Sequence, residues 1–135
     1  MPATFIDTLV SEEEQRTVFN PGEHGETITI GRSPQSFISI KGLTNPYYAK
    51  VSRTHFLVTY NEIRNSFILL CRGRNGFSIK NGLETKNYGP EESVELRNGD
   101  NIYFARHFPA YGPLIFTQEG EGSTVRDINE TQLVE

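Results

Sequence analysis

Short runs of β-branched and aromatic residues, cut by Asn-Gly turns, fill most of this 135-residue chain. Residues 27–30 and 37–40 alternate, and 55–60, 66–71, 76–79, 93–96, 101–104 and 113–117 are similarly rich in strand formers. Asn75-Gly76, Asn81-Gly82 and Asn98-Gly99 put glycine where tight turns need positive φ. No segment holds apolar residues at a 3.6-residue period over the length of a core helix. Many short strands in a chain of one-domain length predict an all-β sandwich over residues 16–118. Residues 1–15, polar and acidic around Ser11-Glu12-Glu13-Glu14-Gln15, read as an N-terminal extension, either a short helix capped by Ser11 or a tail. Hydrophobic content falls after Phe116, so residues 119–135 read as a tail or linker.

The net charge of −4 conceals a sign pattern. Residues 1–30 carry six acids and one base, and residues 81–135 carry ten acids and four bases. Between them, residues 31–80 hold eight bases (Arg32, Lys41, Lys50, Arg53, Arg64, Arg72, Arg74, Lys80) against Glu62 alone. A basic middle in an acidic chain points to a local anionic partner more than to a bulk polyanion. A solvated basic face explains it equally well when the pattern is taken alone. Cys71 is the single cysteine, so neither an internal disulfide nor a cysteine-based zinc site is available. No stretch approaches the roughly 18 apolar residues that span a membrane, and the first ten residues do not read as a signal peptide.

Three segments carry chemistry: Gly31-Arg32-Ser33 at a strand end, Ser52-Arg53-Thr54-His55 at a strand start, and Arg74 to Gly82, followed by Leu96-x-Asn98-Gly99-Asp100-x-Ile102. Singly, each has a plain explanation: a strand end at Gly31, a turn cap at Ser52, a core histidine at His55. Their order and spacing change that. The ordered set of Gly31-Arg32, Ser52-x-x-His55, Asn75-Gly76, Asn81-Gly82 and Leu96-x-Asn98-Gly99-Asp100-x-Ile102 resembles the forkhead-associated (FHA) domain family. The likeness covers roughly residues 27–116.

The resemblance implies a β-sandwich of about eleven mostly antiparallel strands whose loops at one end bind phosphothreonine peptides. By it, Arg32 contacts the phosphate, Ser52 offers hydroxyl and backbone to a phosphate oxygen, and Arg53 also faces the phosphate. Asn75 bonds the peptide backbone, His55 holds the loops together without catalysing anything, and Gly31 and Gly76 are backbone positions. Arg74 departs from the small hydroxyl residue usual there, and either contacts charge on the ligand or points to solvent. Lys50 stands where family members select residues C-terminal to the phosphothreonine, and a cation there favours an acidic side chain. These residue types suit the task. Phosphate on threonine carries about −1.5 to −2 charges, and a guanidinium presents a fork of donors that matches two of its oxygens.

The expected function is a phosphothreonine-peptide-binding interaction module in nuclear signalling (DNA-damage, cell-cycle or transcription control), nuclear or nucleo-cytoplasmic in location. No catalysis, metal, cofactor, membrane or direct nucleic-acid contact is expected. Casting Ser52, His55 and Asp100 as a hydrolase triad lacks a Gly-x-Ser-x-Gly elbow, and His24, His55 and His107 are scattered. Nucleic-acid binding by the basic middle would use Tyr47, Tyr48 and Phe77 as stacking surfaces, and the acidic total opposes it. The reading kept second is a scaffold of the same fold that binds a partner, or itself, through a sheet face independently of phosphate. Thr117-Gln118 and Thr131-Gln132 are pairs of the kind that checkpoint kinases phosphorylate, and a phosphorylated copy would offer a ligand for self-association.

Overall fold

The computed structural model describes residues 2–8, 16–40, 50–106 and 113–118. The expectations at 11–15, in the 41–49 loop with Tyr47 and Tyr48, at His107 and in the 119–135 tail with its Thr131-Gln132 pair lie outside them.

The described residues form eleven strands and a one-turn helix. The strands are β1 (Ala3–Asp7), β2 (Arg16–Phe19), β3 (Thr27–Gly31), β4 (Ile38–Ser39), β5 (Phe56–Asn61), β6 (Ser66–Cys71), β7 (Phe77–Asn81), β8 (Glu84–Tyr88), β9 (Ser93–Glu95), β10 (Asn101–Tyr103) and β11 (Leu114–Gln118). They make two sheets, β2-β1-β11-β10-β7-β8 and β4-β3-β5-β6-β9. Every pairing is antiparallel except β3 with β4, where Ile30 faces Ile38. The helix α1 (Pro21–His24) starts where Asn20 accepts the Gly22 amide at 3.1 Å and Pro21 fixes φ in the first turn.

The expected sandwich is present, and its core is aromatic. Phe5, Phe19, Phe56, Phe67, Phe77, Phe104 and Phe116 are all fully buried between the sheets. Phe67 meets Phe19 at 5.4 Å and Phe116 at 5.7 Å, while Phe56 meets Phe77 at 5.4 Å and Phe104 at 5.1 Å between ring centroids. The His55 ring continues this second group, 4.7 Å from Phe56 and 5.1 Å from Phe104. Rigid packing thus runs from the core to the base of one set of loops.

Two elements depart from the sequence reading. Ala3–Asp7, placed there in an extension before residue 16, is an interior strand paired with β2 on one side and β11 on the other. Ala3 and Phe5 are fully buried and Asp7 is 7% exposed, so the sandwich includes residues well before position 16. The strand's signal lies in its partner more than a hundred residues away, which local periodicity does not reveal. Glu84–Tyr88 is an edge strand exposed on four of its five residues, with charged and polar side chains where an alternating apolar pattern would have marked it. Thr117 and Gln118 end β11, where they pair with Thr4 and Ala3 of β1. Docking of Thr117-Gln118 into a second copy would require stripping the end of β11 from β1.

Candidate functional site

The end of β3 and the start of β5 run side by side and carry the site. His55 N–H donates to Ile30 O at 2.8 Å, Arg32 N–H to Ser52 O at 3.0 Å, and Ser33 N–H to Arg53 O at 3.1 Å. Gly31 makes this approach possible, since a Cβ there would stand 2.1 Å from the Arg53 carbonyl oxygen. Val51 is fully buried and anchors the 50–55 segment. The Arg32 guanidinium lies against this segment, its Nε donating to Val51 O. The Arg32 side chain is thus held against the residue that precedes Ser52.

His55 is the pin. Ser52 N–H donates to its Nδ1 at 3.0 Å, so Nδ1 carries no proton, and Nε2–H donates to Gly76 O at 2.8 Å. One neutral imidazole thus ties the loop after residue 50 to the turn at 72–76. Burial pushes its pKa down to about 4 against the opposing pull of the Gly76 carbonyl. The His55 carbonyl takes the Arg72 and Gly73 amides at 2.8 and 3.1 Å. Gly73, which no sequence motif marked, is required here because a Cβ would fall 2.4 Å from the His55 ring. Gly76 holds φ at +71° in the turn that aims Asn75.

The turn closes back on Ser52 and Lys50. Arg74 N–H donates to Ser52 Oγ at 3.3 Å, and Asn75 Nδ2 donates to Lys50 O at 2.9 Å. A hydroxyl that accepts from an amide keeps its own proton for an anion. Arg74 therefore touches the site through its backbone, while its side chain is exposed, as are those of Lys50 and Arg53. A residue the sequence reading missed joins the rim: Arg106, whose N–H donates to Asn75 O at 2.9 Å. It belongs to the acidic third of the chain and arrives only through the pairing of β10 with β7. Among the described residues, no carboxylate lies within 4 Å of Lys50, Arg53, Arg74 or Arg106. The rim is a concentration of fixed positive charge on backbone-stapled loops, and its chemistry is anion binding.

The rival readings lose their geometry. His55 bonds the Ser52 amide, and its other nitrogen is taken by Gly76. Asp100 is at the far end of β7, accepting from Asn81 Nδ2 at 2.7 Å and Arg97 N–H at 2.8 Å. Phe77 is buried and stacked on Tyr88 at 4.7 Å, so no face of it is open to a base. Among the described residues there is no group of three or more side chains that could hold a metal ion. No helix there is long and apolar enough to cross a membrane.

The family model described as the FHA domain matches residues 28–105. A search of curated proteins returns no match. Among solved structures, the chain is similar to the N-terminal FHA domain from S. cerevisiae Rad53p in complex with a phosphothreonine peptide (15% identity, TM-score 0.66, covering 93% of this chain and 99% of that one). It is also similar to the FHA domain of human APLF in complex with an XRCC1 bisphospho peptide (13% identity, TM-score 0.64, 88% and 100%). A third likeness is to Mycobacterium tuberculosis EmbR in complex with a low-affinity phosphopeptide (17% identity, TM-score 0.56, 88% and 26%).

Proposed function

The chain belongs to the FHA domain family, and from that premise and the geometry of the rim we propose that it is a non-catalytic module binding phosphothreonine peptides of a partner protein. One observation carries the reading. The Arg32 guanidinium lies on the Val51 carbonyl, one residue before Ser52, on loops that a buried neutral His55 locks together. In this assignment Arg32 and Ser52 hold the phosphate, Arg53 adds charge beside them, and Asn75 bonds the peptide backbone. Lys50 attracts an acidic residue C-terminal to the phosphothreonine. Gly31, His55 and Gly76 keep the loops in place.

The test is a peptide library carrying phosphothreonine, phosphoserine or unphosphorylated threonine, read against wild type and Arg32→Ala. Losing one partner of a charge-assisted contact costs roughly 2–5 kcal/mol, so Arg32→Ala should weaken binding about 30-fold or more while the domain stays folded. Binding indifferent to phosphate would leave the fold standing and overturn the function. In the same library, Asp should bind more tightly than Ala at the position Lys50 reads, and equal affinities there would remove that role. We place the recruitment in nuclear signalling, the setting the resemblance implies for eukaryotic members. A fluorescent fusion excluded from the nucleus would move it elsewhere.

A further inference from the structure

The two sheets end in four edge strands among the described residues, β2 and β8 on one and β4 and β9 on the other. β2, β4 and β9 are the shorter ones, at four, two and three residues. β8 has five, pairs with β7 at every one of them without a bulge, contains no proline and is exposed at four positions. An open edge of this kind is a template for another strand. The hairpin decides which groups the edge offers. Its two-residue turn, Gly82-Leu83, closes on Asn81 and Glu84. Glu84, Lys86 and Tyr88 therefore exchange hydrogen bonds with β7, and the backbone of Thr85 is turned outward. Side chains alternate in the same way. Glu84, Lys86 and Tyr88 line the cleft beneath the edge, and Thr85 faces the other side. Glu84 Oε2 and Lys86 Nζ stand 3.8 Å apart.

We propose that β8 is a self-association edge, to which a second copy of this chain adds its own β8 antiparallel about a two-fold axis through Thr85. Charge decides the register. Inward-pointing charges of one sign keep a second edge away, but Glu84 and Lys86 are opposite in sign and stand on either side of Thr85. With the axis at Thr85, each Glu84 lies opposite the Lys86 of the other copy, and the two Thr85 residues exchange N–H and C=O groups. An axis at Glu84 or at Lys86 sets like charges against each other. An axis at Asn87 runs Glu84 onto Pro90, past the end of the strand. An axis between two residues sets an outward-turned backbone against an inward-turned one. The register at Thr85 remains, and it also brings Leu83, fully exposed in the hairpin turn, beside Asn87 of the other copy. Such a contact is isologous and closes at two copies. Because the paired strands are antiparallel, the rims at the Phe77 ends of the two copies point opposite ways, and the dimer presents two anion sites instead of one.

Sedimentation velocity of the whole chain over a concentration series tests the proposal. Wild type should form a dimer and nothing larger, with a dissociation constant on the order of 100 µM, as a contact below standard size allows. Salt should weaken it. Glu84→Lys and Lys86→Glu each place like charges opposite one another twice, and each should weaken the dimer about tenfold or more with the circular dichroism spectrum unchanged. Mixed in equal amounts, the two variants should pair with each other, because each then offers the charge that the other lacks. The double exchange, Glu84→Lys with Lys86→Glu, should dimerise by itself as wild type does. Thr85→Pro, which removes an outward N–H and leaves the hydrogen bonds to β7 in place, should abolish the dimer. A wild-type chain that stays monomeric throughout the series overturns the proposal, and so does one that grows past the dimer. A dimer indifferent to both charge reversals and to Thr85→Pro uses another surface and overturns it too. Single variants that remain monomeric when mixed overturn the charge pairing and with it the register.

Discussion

The two ends of β7 carry opposite kinds of polar surface. At Asn81, charges and amides satisfy one another. Asp100 takes Asn81 and the Arg97 amide, Arg64 grips Glu95 at 2.9 and 3.2 Å, and Gln118 Nε2 donates to Asn65 O at 2.8 Å. A cleft of about 490 Å³ opens there, lined by acids and bases together (Glu84, Glu95 and Asp100 with Lys86 and Arg97). At Phe77 the surface belongs to loops tied down by backbone hydrogen bonds, and four of its cations have no carboxylate within 4 Å among the described residues. Volume and chemistry therefore part company. The cleft is at the end whose charges pair with one another, and the cations with no carboxylate within 4 Å among the described residues stand at the rim. A phosphate on a peptide needs donors and positive potential more than enclosure, so the rim is the better candidate and the cleft is scaffold.

The largest difference between the ends should appear on removing an arginine from the rim. Arg32→Ala removes phosphopeptide affinity about 30-fold or more, measurable by titration calorimetry, with little change in unfolding midpoint. A loss of stability in parallel would mean that Arg32 serves the fold through Val51 O rather than the ligand, and the contrast would fail there.

Acid should come next. His55 holds the rim only while neutral, because Ser52 N–H needs a bare Nδ1. Its pKa is lowered from 6.5 to about 4. The unfolded chain therefore binds a proton near pH 6.5 that the folded protein refuses until about pH 4. The stabilisation is whole above 6.5 and is lost as pH falls through that window, by about 3 kcal/mol at its end. Urea unfolding at a series of pH values would show the fall, and NMR of the ring would show it neutral at pH 5.5. An imidazole titrating near 6.5 in the folded protein would mean that the pin is open to water.

What the sequence revealed and what it concealed divide along the same line. The rim was legible because a small set of residues recurs in order: Arg32, Ser52, His55 and Asn75 with their glycines. The β-rich runs and Asn-Gly turns made the sandwich legible, since alternation is local. Ala3–Asp7 was not, because its burial depends on β11 at the other end of the chain. Glu84–Tyr88 was hidden because an exposed edge strand has no apolar face to read. Gly73 and Arg106 escaped for a further reason. Each matters through a neighbour brought close by tertiary structure, the His55 ring in one case and Asn75 in the other.

The smallest effect belongs to the far end, and its smallness is what makes it useful. Arg64 and Glu95 form a bidentate pair, and Glu95 raises the arginine's already high pKa through hydrogen bonding and charge. Geometry alone would rank this contact above anything at the rim. Arg64 is exposed, however, and water competes for both charges. Arg64→Ala should therefore leave phosphopeptide affinity unchanged and move the urea midpoint barely beyond error, even at low salt. Glu95, half-buried at the end of β9, still has water to receive its charge once its partner is gone. A loss of affinity in Arg64→Ala would show that the two ends are coupled through β5 and β6, and that the distal charges set the rim loops. A loss of stability alone would show that the far end holds the sandwich shut, which sharpens the contrast rather than breaking it.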